Sequence, residues 1–402
     1  MKLDSVSHKN LYRMGTSVRA VSPFLWDAGL VAMTLPKRAG LGLKFAIGER
    51  RSAGRIMRVN LEVTTRCNLR CGMCWWWGKN AECLTDRART DPRNELGTKE
   101  IFAVIDRLAN YKPSIYLSGG EPFIRKDMAD IIEYISGKGM PVILTSNGTL
   151  MDERTLKRLS EIENLAINFS VDGPREVHDA IRGDGVFDKV TRSMKRLIEL
   201  RQGAYPVVNS NTTFSPGLLG HTDELARYLA DEIRVDSVRL QHTWFASAAT
   251  ARLREETFEK IFGVRDDGAM SHVMPKFQNG YVSKLADEIA LVERTSYGRP
   301  VFVNPRMSRE QIARYYQEPS FSKADRCVVA WNTLVIRANG DVMLCPDGWT
   351  REFSLGNVRS SSIGAMWNGE AAGRFREAIC AKKKLPACAK CCALNDGVMG
   401  LQ

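Results

Sequence analysis

Short runs of β-branched and aliphatic residues alternate along this chain with longer stretches in which apolar positions recur every three or four residues. The short runs are Val59–Thr64, Ile115–Leu117, Val142–Thr145, Leu165–Val171, Val207–Phe214 and Ser237–Gln241. Between them, the periodicity predicts helices near Thr98–Asn110, Lys126–Gly137, Glu153–Glu161, Phe187–Arg201 and Thr222–Asp231. Strands separated by helix-length segments predict βαβ units and a parallel sheet, hence an α/β fold over residues 56–250. Six such units fall short of a closed eight-stranded barrel. Residues 251–320 are charged and weakly periodic, with a helix predicted at Ser283–Glu293 and another N-capped by Ser308, with Glu310 and Gln311 in its first turn. They read as barrel closure and linker. In residues 321–402, Asn339-Gly340-Asp341 between β-rich runs predicts a hairpin.

Charge changes the picture of residues 1–55. Through Arg58 there are eleven basic residues against three acidic ones, and Pro23-Phe-Leu-Trp26 and Leu30-Val-Ala-Met33 sit at spacings one helical face can use. Such a basic amphipathic arm suits weak contact with an anionic membrane surface, or a lipid-like or acidic substrate. The alternative is an arm that packs its apolar face on the barrel and leaves its charges in solvent. The whole chain of 402 residues carries a net charge of +12. No run of 18 apolar residues, no secretory signal and no nucleic-acid motif interleaves with the basic residues, so the expectation is a cytoplasmic protein, peripheral at most, without a nucleic-acid partner.

Ten cysteines cluster at 67–83 and 327–392, in a chain too long to depend on disulfide staples; thiolates bound to metal in a reducing compartment fit better. Cys67-x3-Cys71-x2-Cys74 directly follows the first strand. Three cysteines on an iron–sulfur cube leave one iron open to a small molecule. A zinc knuckle with Cys83 as fourth ligand is the alternative. In the second group, Cys327 and Cys345 face each other across the hairpin, and Cys388-x2-Cys391 is a knuckle. These four thiolates are enough to close a cluster, with Cys380 and Cys392 as possible substitutes and a zinc ribbon as the alternative.

Chemistry in parallel barrels sits at the carboxyl ends of strands. There lie Ser118-Gly119-Gly120-Glu121-Pro122, Ser146-Asn147-Gly148 and Ser170-Val-Asp172-Gly173, with Arg182 in the segment that follows. The paired glycines allow close backbone approach to a ligand, and Glu121 can accept from an ammonium group. Asn209, Asn211, Thr213 and Gln241 are expected at the same mouth, with His242 as the titratable candidate for proton transfer.

The three-cysteine loop and the ordered strand-end motifs resemble those of the radical S-adenosylmethionine (radical SAM) enzymes, and the stretch from Cys327 to Cys392 resembles their SPASM/twitch extension. The resemblance covers residues 56–402 and implies a partial (β/α)6 TIM-like barrel followed by a small Cys-rich domain. It implies that Cys67, Cys71 and Cys74 hold a 4Fe–4S cluster at which SAM is reductively cleaved to a 5′-deoxyadenosyl radical. Gly119, Gly120 and Glu121 would hold the SAM amino group, Ser146, Asn147, Ser170 and Asp172 would serve the ribose side, and Arg182 the carboxylate. It further implies one auxiliary 4Fe–4S cluster on Cys327, Cys345, Cys388 and Cys391, and a reductant such as flavodoxin or ferredoxin. The family's aromatic residue beside the adenine is replaced here by Met73, followed by Trp75-Trp76-Trp77, of which at least one is expected to be exposed at the mouth. Expected substrates are small molecules, lipid-like molecules or peptides. The first 55 residues look too short for a leader-peptide domain, which disfavours the peptide-modifying alternative. A zinc-binding scaffold is the non-enzyme alternative, and a cube used only for electron transfer is a third.

Overall fold

The computed structural model describes residues 53–78, 91–265, 268–274, 277, 279–345 and 353–395. The basic arm up to residue 52 and Cys83 lie outside these residues. Among the described residues no helix is long and apolar enough to cross a membrane.

Among the described residues nine strands form one sheet: β1 (Arg58–Thr64), β2 (Ser114–Gly119), β3 (Val142–Ser146), β4 (Leu165–Ser170), β5 (Val207–Thr213), β6 (Ser237–Gln241), β7 (Val301–Asn304), β8 (Thr333–Ile336) and β9 (Val342–Met343). Their order is β7-β6-β5-β4-β3-β2-β1-β8-β9, parallel throughout except for the β8–β9 hairpin. The sheet is open among the described residues, as a partial barrel requires. Helices α1 (Thr98–Ala109), α2 (Met128–Gly137), α3 (Glu153–Ser160), α4 (Arg175–Arg182), α5 (Val186–Leu200) and α6 (Thr222–Arg227) occupy the crossovers. In α1 the stripe presented to the sheet is Ile101, Val104, Ile105 and Leu108, all fully buried, whereas α4 buries only His178.

Period-2 alternation divides the two faces of the sheet. Val59, Leu61 and Val63 of β1 lie under the helices, while Arg58, Asn60, Glu62 and Thr64 turn to the concave side. That side is polar, unlike most parallel sheets, which are apolar on both faces. Several of its groups satisfy one another. Arg58 donates to Asn60 Oδ1 at 3.0 Å and lies 4.7 Å over the Tyr116 ring; the Tyr116 and Thr145 hydroxyls are 2.7 Å apart. Asn209 donates to Asn168 at 3.2 Å and accepts from the Ser237 hydroxyl at 2.7 Å.

Residues 251–320 are more ordered than their sequence predicts. They hold the end of α7 (Ala248–Phe262), α8 (Asn279–Arg294), the seventh strand, and α9 (Arg309–Gln317), which Ser308 and Gln311 start with a capping box. The hairpin at Asn339–Asp341 forms with Gly340 at φ +90°, and β8 lies directly on β1, with Arg58 opposite Thr333 and Leu61 opposite Ile336. The cysteine-rich segment thus extends the main sheet. Helices α10 (Ile363–Asn368) and α11 (Glu370–Lys382) complete it, and Trp367 Nε1 donates to Gly54 O at 2.7 Å, tying the two ends of the described chain together.

Candidate active site

The loop carrying Cys67, Cys71 and Cys74 leaves the carboxyl end of β1. Each of the three sulfurs accepts one donor. Leu69 N–H reaches Cys67 Sγ at 3.4 Å, Trp77 N–H reaches Cys74 Sγ at 3.3 Å, and Arg182 Nη1 reaches Cys71 Sγ at 3.8 Å. Donors aimed at sulfur suit thiolate ligands. Burial pushes the Cys71 thiol up to about 11, opposed by Arg182 and reinforced by Cys74; burial also raises Cys67. Bound metal must displace those protons.

Three attachments hold the loop. Gly72 N–H donates to Ile181 O in α4 at 3.1 Å. Thr65 O accepts both the Trp76 and Trp77 indole N–H groups, at 3.2 and 3.0 Å, and Arg70 lies 4.4 Å over the Trp77 ring. Glu95, absent from the sequence-based expectations, gathers Thr64 Oγ1, Thr65 N–H and Thr65 Oγ1 on the single oxygen Oε1 at 2.7–2.9 Å. Arg66 approaches its other oxygen at 3.5 Å.

The Gly119-Gly120-Glu121 turn lies against this same segment. Gly120 N–H donates to Thr64 O at 2.9 Å and Glu121 N–H to Arg66 O at 2.8 Å. A Cβ on Gly119, whose φ is +124°, would stand 2.1 Å from Thr64 O, and one on Gly120 2.1 Å from Arg66 O. The glycines are therefore required by backbone packed on backbone. The Glu121 carboxylate is buried and already has three donors: Ser146 Oγ at 2.8 Å, Asn147 N–H at 2.7 Å and Phe123 N–H at 3.1 Å. Burial raises its pKa against those hydrogen bonds. The expected ammonium acceptor thus joins the ends of β2 and β3. Asn147 extends the connection, donating to Asn68 at 3.0 Å in the cysteine loop.

Asp172 is buried and forms an ion pair with Arg182; it also accepts from Thr213 N–H at 3.0 Å. Its own N–H donates to His178 Nδ1 at 3.1 Å, and burial lowers the His178 pKa to about 4. Ser170 stands half-buried at the end of β4, opposite Asn211 on β5. The Asn211 Oδ1 is buried without a hydrogen bond in the structure. Met73 is exposed, whereas Trp75, Trp76 and Trp77 are all half-buried, so the expectation of an exposed tryptophan is corrected. Trp75 stacks on His272 at 5.6 Å, which in turn meets Trp244 edge-on at 5.1 Å.

His242 is placed differently from its expected position at the mouth. It is buried among Phe214, Tyr315 and Tyr316, with Nδ1 3.0 Å from the Tyr316 hydroxyl. Burial lowers its pKa to about 3, so it is neutral at working pH and poorly suited to proton transfer. Asn209 is likewise committed to the Asn168–Ser237 ladder described above.

In the second constellation, Cys327, Cys345, Cys388 and Cys391 line one cavity, together with Arg254 and apolar residues including Val329, Leu344 and Phe375. Cys380 and Cys392 are not among its lining residues. The four donors fit a closed cluster.

Comparison with known proteins agrees with both constellations. The radical SAM superfamily profile matches residues 61–233, and the SPASM iron–sulfur cluster-binding domain matches residues 327–392. Fe-coproporphyrin III synthase of Methanosarcina barkeri is 26% identical over 311 residues, 76% of this chain and 72% of that protein. Mycofactocin maturase MftC of Mycolicibacterium smegmatis is 30% identical over 138 residues, which is 34% of this chain and only 33% of the relative. The crystal structure of Streptococcus suis SuiB bound to S-adenosylmethionine superposes with a TM-score of 0.59 at 12% identity, covering 82% of this chain and 70% of SuiB. At that identity the likeness concerns the fold.

Proposed function

This chain belongs to the radical SAM superfamily and carries a SPASM module, and we propose that it uses SAM and two 4Fe–4S clusters to abstract a hydrogen atom from a small organic molecule in the barrel mouth. It is an enzyme whose cofactors are SAM and iron–sulfur clusters. One observation carries the residue-level reading. The three sulfurs of Cys67, Cys71 and Cys74 each have a donor, on a loop held to the Gly119–Glu121 turn at the carboxyl ends of β1 and β2.

When bound, the first cluster with SAM supplies the radical chemistry. The chain's own residues hold and shield it. Cys67, Cys71 and Cys74 ligate iron through the thiolate. Arg182, held by Asp172, places positive charge at Cys71 and would receive the SAM carboxylate. Glu121 acts by fixing the Ser146–Asn147 backbone beside the Gly119–Gly120 turn, and that turn's backbone, Ser170 and Asn211 would be the groups offered to SAM. Cys327, Cys345, Cys388 and Cys391 ligate the auxiliary cluster. A relative matched over 76% of this chain is named Fe-coproporphyrin III synthase, which supports a small-molecule substrate. A peptide is the second reading, favoured by the maturase that shares a third of the chain.

The test is iron, sulfide and zinc content after anaerobic reconstitution, read beside 5′-deoxyadenosine formed from SAM under dithionite. About eight irons per chain, falling to about four with loss of 5′-deoxyadenosine in C67A/C71A/C74A, is the expected result. Zinc without iron, and no SAM cleavage, would overturn it.

A further inference from the structure

The concave face of the sheet carries more positive charge than its strands balance. Among the described residues the nine strands hold a single carboxylate, Glu62 of β1, and it faces Arg337, just past β8, at 3.5 Å. Against it stand Arg58 of β1 and Arg239 of β6. Arg239 alternates with Val238 and Leu240, which are fully buried on the helix side, so it shares the concave face with Arg58. Arg58 is only 7% exposed. Its Nε donates to Asn60 Oδ1 at 3.0 Å, and its guanidinium carbon lies 4.7 Å over the Tyr116 ring. Neither partner brings a carboxylate. Burial lowers the Arg58 pKa and Arg239 lowers it further; no carboxylate of the described residues is among the groups acting on its charge.

Holding a guanidinium at this depth is costly unless an anion faces it, and a second arginine nearby adds to that cost. Asn60 takes Nε and fixes the plane of the fork, and the two Nη groups remain for a planar oxyanion. The face in front of them is open, since Tyr116, Thr145, Asn211, Arg239 and Gln241 are all only half-buried. Arg58 opens β1, whereas the loop with Cys67, Cys71 and Cys74 leaves its other end. An anion on Arg58 is therefore held remote from the radical chemistry, where binding energy orients a substrate without touching the reacting carbon.

We propose that Arg58 anchors an anionic group of the substrate, a carboxylate or a phosphate, at the amino end of the concave face, while the reacting carbon lies toward the cysteine loop. The proposal deepens the radical reading above and rests on it. The test uses the full chain, reconstituted anaerobically and with SAM present. Benzoate, phenyl phosphate and neutral benzamide are the probes, at matched ionic strength, and dissociation constants come from the rise in melting temperature with probe concentration. One of the two anions is expected to stabilise the parent where benzamide does not, and the tighter of them names the group. Arg58→Met is expected to bind that anion about tenfold or more weakly, with Arg58→Lys recovering part of the loss. If Arg58→Met does not melt cooperatively, Arg58→Gln carries the comparison. Stabilisation by no probe, equal stabilisation by all three, or an anion affinity unmoved in the uncharged variant overturns the proposal. Failure of all three variants to fold also overturns it, by making Arg58 part of the framework. Formation of 5′-deoxyadenosine by the parent under dithionite is measured beside the titrations; its absence overturns the radical reading, while the probes still decide the anion site.

Discussion

Arg182 bridges two buried groups, pairing with Asp172 through Nε while its Nη1 lies 3.8 Å from Cys71 Sγ. The ion pair ties the carboxyl end of β4 to the loop that follows β1, and α4 delivers the arginine between them. Replacing Arg182 by Met leaves the Asp172 carboxylate buried and uncompensated. The expected cost is about 3–5 kcal/mol of stability by urea denaturation. Asp172→Asn on top of Arg182→Met should recover part of it. A cost below about 1 kcal/mol would show that the pair does not hold the loop.

Gly119→Ala and Gly120→Ala each drive a Cβ into a backbone oxygen of the Thr64–Arg66 segment. Backbone cannot move aside as a flexible side chain does. Both variants are expected to lose the first cluster's irons, about four per chain, and to fall by several kcal/mol in stability. Gly137→Ala, where nothing lies within 4 Å of the added carbon, serves as the unaffected comparison. Full iron in Gly120→Ala would contradict the packing argument.

Glu95 gathers its three bonds from Thr64 and Thr65 on one oxygen. A glutamine keeps that oxygen as a carbonyl acceptor, whereas alanine leaves a buried N–H and two hydroxyls without it. Glu95→Gln is expected to stay within about 1.5 kcal/mol of the parent, and Glu95→Ala to lose about 2–4 kcal/mol together with iron from the first cluster. Chemical denaturation with iron analysis checks both, and equal losses in the two variants would contradict the geometry.

His242 and His178 are held neutral by burial, with folded pKa values of about 3 and about 4 against an unfolded value near 6.5. Between these values the unfolded chain binds more protons than the folded one. Their contribution is therefore complete above about pH 6.5 and is lost as pH falls toward the folded values. His242→Gln should flatten the dependence of stability on pH across this window by about 1.4 kcal/mol per pH unit. The pH profile of 5′-deoxyadenosine formation should show no His242 inflection; an unchanged stability slope would count against its burial as a neutral group.

The six central strands were legible because their runs are β-branched or alternate apolar with polar residues and end at turn signals; their boundaries fall within about two residues of those expected. The seventh was not, since Val301–Asn304 is four residues long between Pro300 and Pro305. The pairing of β8 with β1 joins residues far apart in sequence, and no local pattern encodes it. The same distinction divides the site. Cysteine spacing and the Gly119-Gly120-Glu121 turn could be read locally, whereas Glu95 acts on backbone 30 residues earlier and Arg254 shares a cavity wall with cysteines about 70 or more residues later. His242 was misplaced because Tyr315 and Tyr316, which enclose it, arrive more than 70 residues downstream.

The ladder between β1 and β8 has a consequence for how the protein can be divided. Without β8, the strand that leads into Cys67 would become the bare margin of a parallel sheet, with unpaired N–H and C=O groups open to any other strand. A fragment ending at residue 320 should therefore self-associate, while the cysteine-rich remainder would lose the surface on which its hairpin is laid. The two cysteine constellations therefore hang on one continuous sheet, and cutting between them breaks it.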